Sequence, residues 1–153
     1  MTTASCPPAT CGWRWPRCAG TTLSIVSFGY KYGLPVDADL VADCRFLPNP
    51  HWIPELAPMT GQDEPVRAYV LAQPGAREFL HHYAELLHVV LPGYEREGKR
   101  FVTLAVGCTG GKHRSVAIAG ELAARVAALP GLKGPAPEGD TDVQVVHRDL
   151  GRE

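Results

Sequence analysis

The 153-residue chain has no apolar run approaching the ~20 residues that span a bilayer. Its N-terminus lacks the apolar core of a secretory signal, so a cytoplasmic address is expected. No sign of charge dominates either. Lys and Arg total 15 against 16 Asp and Glu, a formal net charge of −1, which removes any general pull towards nucleic acid or an anionic membrane. Cysteines number five, an odd count, and Cys6, Cys11 and Cys18 follow a C-x4-C-x6-C spacing that matches no common zinc pattern. Cys44 and Cys108 lie in or beside apolar runs and read as free thiols. Neither a disulfide framework nor a resident metal or cofactor is expected. There is no internal repeat and no G-x-x-x-x-G-K-[ST]. What is present, 45% hydrophobic and 20% charged residues, suits one soluble globular domain able to bury a core.

The chain is organised around residues 100–125. Phe101 to Val106 is a short run rich in β-branched and aromatic residues, as a buried strand requires. Val116, Ala119, Leu122, Ala123 and Val126 then recur at helical spacing. Between strand and helix lies Gly107-Cys108-Thr109-Gly110-Gly111-Lys112-His113-Arg114-Ser115. A glycine-rich turn lets backbone N–H groups converge, and the helix behind it presents unpaired N–H groups at its positive dipole end. Lys112, His113 and Arg114 add three donors at the end where a dipole disfavours cations. An anion seated there offsets that repulsion, so the segment reads as a phosphate seat rather than a packing turn.

Along the rest of the chain, residues 1–20 lack periodicity and read as a disordered leader, leaving residues 21–153 as the domain. Leu23 to Phe28 and Asp39 to Cys44 read as strands. Residues 46–58 carry four prolines, which forbid regular structure but stiffen the loop. Loops of that length are uncommon in compact domains unless they bind something. A short helix starts at Asp63-Glu64-Pro65 and breaks at Pro74-Gly75. Residues 76–91 form the clearest helix, with Phe79, Leu80, Tyr83, Leu86, Leu87, Val90 and Leu91 on one face, and Pro92-Gly93 ends it. His81, Glu85 and His88 share the opposite face, where solvation is the natural reading. Lys133 to Thr141 is a Pro/Gly-rich connector, and Val143 to Val146 a last strand followed by His147-Arg148-Asp149. Strands alternating with helices predict an α/β fold: a small, mainly parallel sheet flanked by helices.

In such sheets ligands bind outside the C-terminal strand ends. Four ends here carry polar or glycine-rich punctuation: 29–33, 43–52, 107–114 and 147–149. Amides around Thr109, Gly110 and Gly111, the Thr109 hydroxyl and Arg114 would hold a phosphate. Asp43 and His51 would face it from the neighbouring end, Asp43 accepting from an ammonium group or else pairing with Arg45. Trp52 offers either a stacking face or a hydrophobic anchor for the stiff loop.

The stretches S-F-G-Y-K-Y-G-L-P-V-D-A-D-L, D-C-R-F-L-P-N-P-H-W, M-T-G-Q-D-E-P-V and G-C-T-G-G-K-H-R-S-V closely resemble the C-terminal domain of the RapZ family, the RNase adapter proteins, over roughly Ser24 to Asp149. The resemblance implies a regulatory domain that binds an amino-sugar phosphate, glucosamine 6-phosphate, and takes part in binding small RNA and an RNase. It implies Asp43, His51, Cys108, Thr109, Gly110, His113 and Arg114 as ligand positions, and Lys31 as a basic position associated with RNA. Self-association into a homo-oligomer stays open. The family's N-terminal P-loop half has no counterpart in these residues. In place of a basic tail stand Arg148-Asp149-Leu150-Gly151-Arg152-Glu153, without net positive charge, which weakens the RNA expectation.

A rival reading belongs to a different class. Cys108, Arg114 and Ser115 spell C-x5-R-S, similar to the loop of cysteine-dependent phosphatases. A helix N-terminus and nearby cations would favour the Cys108 thiolate as nucleophile, Arg114 would hold the phosphate, and Asp43 could act as general acid. The pattern is short, and Gly107 stands where those enzymes favour His. Catalysis therefore ranks behind binding.

Overall fold

Alternation builds the first strand: in TLSIVSFG, Leu23 and Ile25 are buried while Thr22 and Ser24 are only partly covered. The computed structural model describes residues 21–129 and 142–152. Its elements are β1 (Thr22–Gly29), β2 (Leu40–Asp43), α1 (Glu64–Leu71), α2 (Ala76–Arg96), β3 (Phe101–Cys108), α3 (Arg114–Ala128) and β4 (Asp142–His147), with single 3-10 turns at Tyr30–Tyr32 and Pro50–Trp52. The expected leader and the expected Pro/Gly-rich connector lie outside the described residues.

All strand pairs are parallel, in the order β2-β3-β1-β4. The fold is thus the α/β parallel sheet the sequence pattern predicts. From β2 to β3 and from β3 to β4 the chain steps across the sheet in the same direction. Right-handed crossovers then place α1, α2 and α3 on one face. The core lies in that layer: Leu23, Ile25, Val102, Leu104 and Val106 of the sheet against Val66, Val70, Leu80, Leu87, Leu91, Ile118 and Leu122 of the helices.

Three details differ from expectation. First, the opposite sheet face bears no helix among the described residues, and Phe101 on it is 73% exposed. That is unusual, since parallel sheets are generally covered on both faces. Second, α2 does not stop at Pro92 but runs through it to Arg96. Leu91 is buried and Tyr94 packs against the core, and this tertiary packing outweighs the hydrogen bond that Pro92 cannot make. Third, the buried stripe of α2 is Ala76, Leu80, Ala84, Leu87 and Leu91, which leaves Leu86 largely outside. His81, Glu85 and His88 are exposed on its outer side.

Candidate functional site

Because every strand points the same way, the turns after β1, β2, β3 and β4 meet at one end of the sheet. Cys108 ends β3, and the loop 109–113 climbs into α3, whose first residue is Arg114. Two glycines allow this loop to lie against β1. Gly111 sits at φ +77°, in the left-handed region, and a Cβ there would come 2.7 Å from the Gly29 nitrogen. A Cβ on Gly29 would in turn meet the Gly110 carbonyl carbon at 2.6 Å. The Lys31 amide donates to the Thr109 carbonyl at 3.2 Å, bringing the Lys31 side chain to the same mouth.

Arg114 joins the parts. Its side chain is buried, and Nη1 donates to the carbonyls of Leu47 (3.0 Å) and Arg45 (3.3 Å) while Nη2 donates to the Thr109 hydroxyl (3.3 Å). The loop after β2 is thereby tied to the glycine loop. The Gly61 amide, donating to the Lys112 carbonyl at 2.9 Å, closes the proline-rich segment onto α3. Nε of Arg114 is the only buried side-chain nitrogen or oxygen without a hydrogen-bond partner among the described residues. His113 faces the Ala57 carbonyl at 3.3 Å, and its ring lies 6.3 Å from that of His51. Burial holds the His113 imidazole below the usual histidine range, and Lys112 and His51 add to this against the Ala57 contact.

Under the loop lie two thiols, both buried and free. The Cys108 sulfur has the Ser115 hydroxyl at 3.1 Å and accepts the Gly111 amide at 3.2 Å. A hydrogen bond from Cys44 is the largest influence lowering the Cys108 thiol, followed by the Ser115 hydroxyl and the amides of Ser115 and Gly111, all opposing burial. The Cys44 S–H also points at the Gly107 carbonyl, 2.9 Å away, and one proton cannot serve both acceptors fully. Together these bonds outweigh burial and hold the Cys108 thiol well below its usual range. Cys44 is pushed up, by its bond to Cys108 and by burial.

These groups enclose a cavity of about 270 Å³. Its lining comes from three stretches: Cys108, Thr109 and Gly110; Lys112, His113 and Arg114; and Lys31, Asn49 and His51. Asn49 caps the Pro50–Trp52 turn by accepting the His51 amide at 3.3 Å, which places the imidazole at the mouth. Three side chains of permanent positive charge and no carboxylate line the space, in a chain of net charge −1.

Of the positions read from sequence, His51, Cys108, Thr109, Gly110, His113 and Arg114 line one cavity. Gly111 shapes it from behind, its amide turned to the Cys108 sulfur. Asp43 stands at the neighbouring strand end but does not line the cavity. Both its oxygens accept from Arg45, whose Nη2 lies 2.7 Å from Oδ2, and this side-chain bond holds the carboxyl below its usual range. Arg45 in turn lies over the Tyr30 ring at 3.9 Å. Trp52 is 79% exposed and edge-on to His51, so it does not anchor the loop. Lys31, which the resemblance associates with RNA, also lines the cavity. Asn49 lines it too, and its one sequence signal is an Asn before Pro at a turn start.

Asp149 reads in the sequence only as punctuation after the last strand. It is buried at the outer edge of the sheet, accepting the Gly29 amide at 2.8 Å and bonding Arg148 and Arg152. Burial alone would raise its pKa, but Arg148, the Gly29 amide and Arg152 outweigh that and hold it below the usual range. Through Gly29 it braces the glycine loop. No cluster of three or more His, Cys, Asp or Glu able to hold a metal occurs among the described residues. Nor is any described helix long and apolar enough to cross a membrane.

A family model described as the RapZ C-terminal domain matches residues 21–151. The chain belongs to that family. Among its curated relatives are nucleotide-binding proteins of Frankia alni (68% identical), Acidothermus cellulolyticus (66%) and Thermobifida fusca (65%), each over 130 residues. These matches cover 85% of this chain but only 40–42% of each relative, so the chain spans about two-fifths of their length.

Proposed function

We propose that this domain is a regulatory module that binds a sugar phosphate, an amino-sugar phosphate such as glucosamine 6-phosphate in particular. The carrying observation is the lining: Lys31, Lys112 and Arg114 with two histidines and no carboxylate, around a cavity at the small end of ligand pockets, roughly 300 Å³. That space suits a phosphorylated monosaccharide better than a dinucleotide. In this reading the phosphate sits over Thr109 and Gly110 against Lys112 and Arg114, with the sugar towards Lys31, Asn49 and His51. The ammonium of an amino sugar competes with Arg45 for Asp43. Small RNA or an RNase would be the output partner in a cytoplasmic setting. With a neutral tail, RNA affinity would rest on cations such as Lys31, which the phosphate ligand also needs.

A thermal-shift series with glucosamine 6-phosphate, glucose 6-phosphate, inorganic phosphate and unphosphorylated glucosamine tests this. Ligand at ~100 times its dissociation constant adds ~2.7 kcal/mol of stability. The phosphate esters should raise the melting temperature and glucosamine should not. A shift with none of the phosphates refutes the proposal. Filter binding of structured RNA at physiological salt addresses the partner, and affinity no better than ~10⁻⁴ to 10⁻⁶ M removes it.

A further inference from the structure

A binding pocket for a phosphate ester has no need of a sulfur prepared as this one is. Cys108 lines the cavity, its Sγ accepting the Gly111 amide at 3.2 Å and lying 3.1 Å from the Ser115 hydroxyl, which donates to it when the sulfur is ionised. A neutral thiol is a weak acceptor, whereas a thiolate accepts both bonds well. Resting on the reading of the cavity as a phosphate site, we propose that it also hydrolyses phosphomonoesters, with Cys108 Sγ as the nucleophile.

Independent support comes from Arg114. The residue is 5% exposed and lines the same cavity; its two Nη atoms bond the chain, yet Nε has no partner. An orphaned donor on a buried guanidinium is costly unless an oxygen arrives to accept it. A phosphoryl oxygen above Sγ would meet that need once the guanidinium, whose Nε is enclosed in this structure, turns towards it. The depressed thiol of Cys108 agrees with this geometry. Cys44 does not compete as nucleophile, since its thiol is pushed up and directed at the Gly107 carbonyl. Asp43, clamped by Arg45 and outside the lining, is not the proton donor. His51, exposed at the mouth, takes that part.

The atoms balance without an oxidant or a metal. The sulfur lone pair forms an S–P bond as the P–O bond to the leaving group breaks. The leaving oxygen keeps that electron pair and takes a proton from His51. Water then gives a proton back to His51 and attacks phosphorus, the S–P bond breaks to restore the thiolate, and inorganic phosphate departs.

The test uses the full chain with two substrates, p-nitrophenyl phosphate and glucosamine 6-phosphate, alongside calorimetric binding of inorganic phosphate. The expected result is turnover that falls to the buffer rate in Cys108→Ser, with a phosphoryl group trapped on the Cys108 peptide by acid quench. His51→Gln should slow the alkyl ester by roughly 10²–10⁴-fold and the aryl ester less, because a nitrophenolate leaves without a proton. Ser115→Ala, which keeps the nucleophile, should move the acidic limb of the rate profile to higher pH. Phosphate binding without turnover overturns catalysis, turnover surviving Cys108→Ser overturns Cys108 as the nucleophile, and either leaves the binding site standing. Failure to bind phosphate overturns both.

Discussion

Replacing Gly29 with alanine probes the packing on which the anion loop depends. The new Cβ would lie 2.6 Å from the Gly110 carbonyl carbon, 2.7 Å from its oxygen and 2.9 Å from the Gly111 nitrogen. Ordinary carbon contacts are about 3.5–4.0 Å, so the shortfall is about 1 Å. All three atoms are backbone, and no side chain can swing aside. The loop is also pinned by the Lys31 amide on Thr109, while Asp149 holds Gly29 itself. Overpacking costs about 1–3 kcal/mol, and two facing backbones put this case near the top. For a domain of this size each kcal/mol moves the melting temperature by about 4 °C, which gives a fall of roughly 10 °C. A loop displaced by that ångström carries its amides out of the 2.7–3.2 Å hydrogen-bond range of a bound anion. Affinity for inorganic phosphate should therefore fall by about tenfold or more, ~1.4 kcal/mol per decade. Differential scanning calorimetry and titration calorimetry read the two effects. Gly120→Ala supplies the opposite sign: a Cβ there meets nothing within 4 Å, and losing a helical glycine should stabilise by up to about 1 kcal/mol. If Gly29→Ala melts within about 2 °C of the parent and binds phosphate as well, the contact between β1 and the loop does not carry the site.

Three further outcomes are expected. Arg114→Lys cannot reach both the Leu47 carbonyl and Thr109, so urea denaturation should show a loss of about 2 kcal/mol together with weaker phosphate binding. Asp149 ionises more readily folded than unfolded, so its contribution is present above the unfolded carboxylate pKa of about 3.9 and disappears as pH falls through the lower folded value. Asp149→Asn should accordingly be less stable at pH 7 and lose less on further acidification below about pH 4, read from urea midpoints across pH. Leu122→Ala, at a fully buried position between α3 and the sheet, should cost about 2–5 kcal/mol without altering the phosphate affinity of whatever fraction stays folded.

Much of the architecture was legible from local pattern. Val102, Leu104 and Val106 alternate inward, and Ala119, Leu122, Ala123 and Val126 of α3 join the core as their spacing predicts, whereas Val116 is buried beside Gly61 instead. The end of α2 was not legible. Proline ends helices by a local rule, but the contacts of Leu91 and Tyr94 that carry the helix past Pro92 are made with residues distant in sequence. The six cavity residues shared with the sequence reading were recoverable because parallel strands bring their following turns to one edge. Lys31, Asn49 and Lys112 complete that cavity; the cation run before α3 marks Lys112 and an Asn before Pro marks a turn at Asn49, but nothing near Lys31 distinguishes a lining residue from a surface one.

What the sequence by itself determined is the order of strand and helix, the glycine-rich turn between β3 and α3, and the cations at its helical end. These follow from residue periodicity and the backbone freedom of glycine, which act over a few neighbours. Only the tertiary structure decided that Asp43 lies outside the cavity, that Asp149 braces Gly29 from 120 residues away, and that one sheet face is left open among the described residues. Those outcomes depend on which strands lie side by side and how far a side chain reaches through space, quantities that no local pattern encodes.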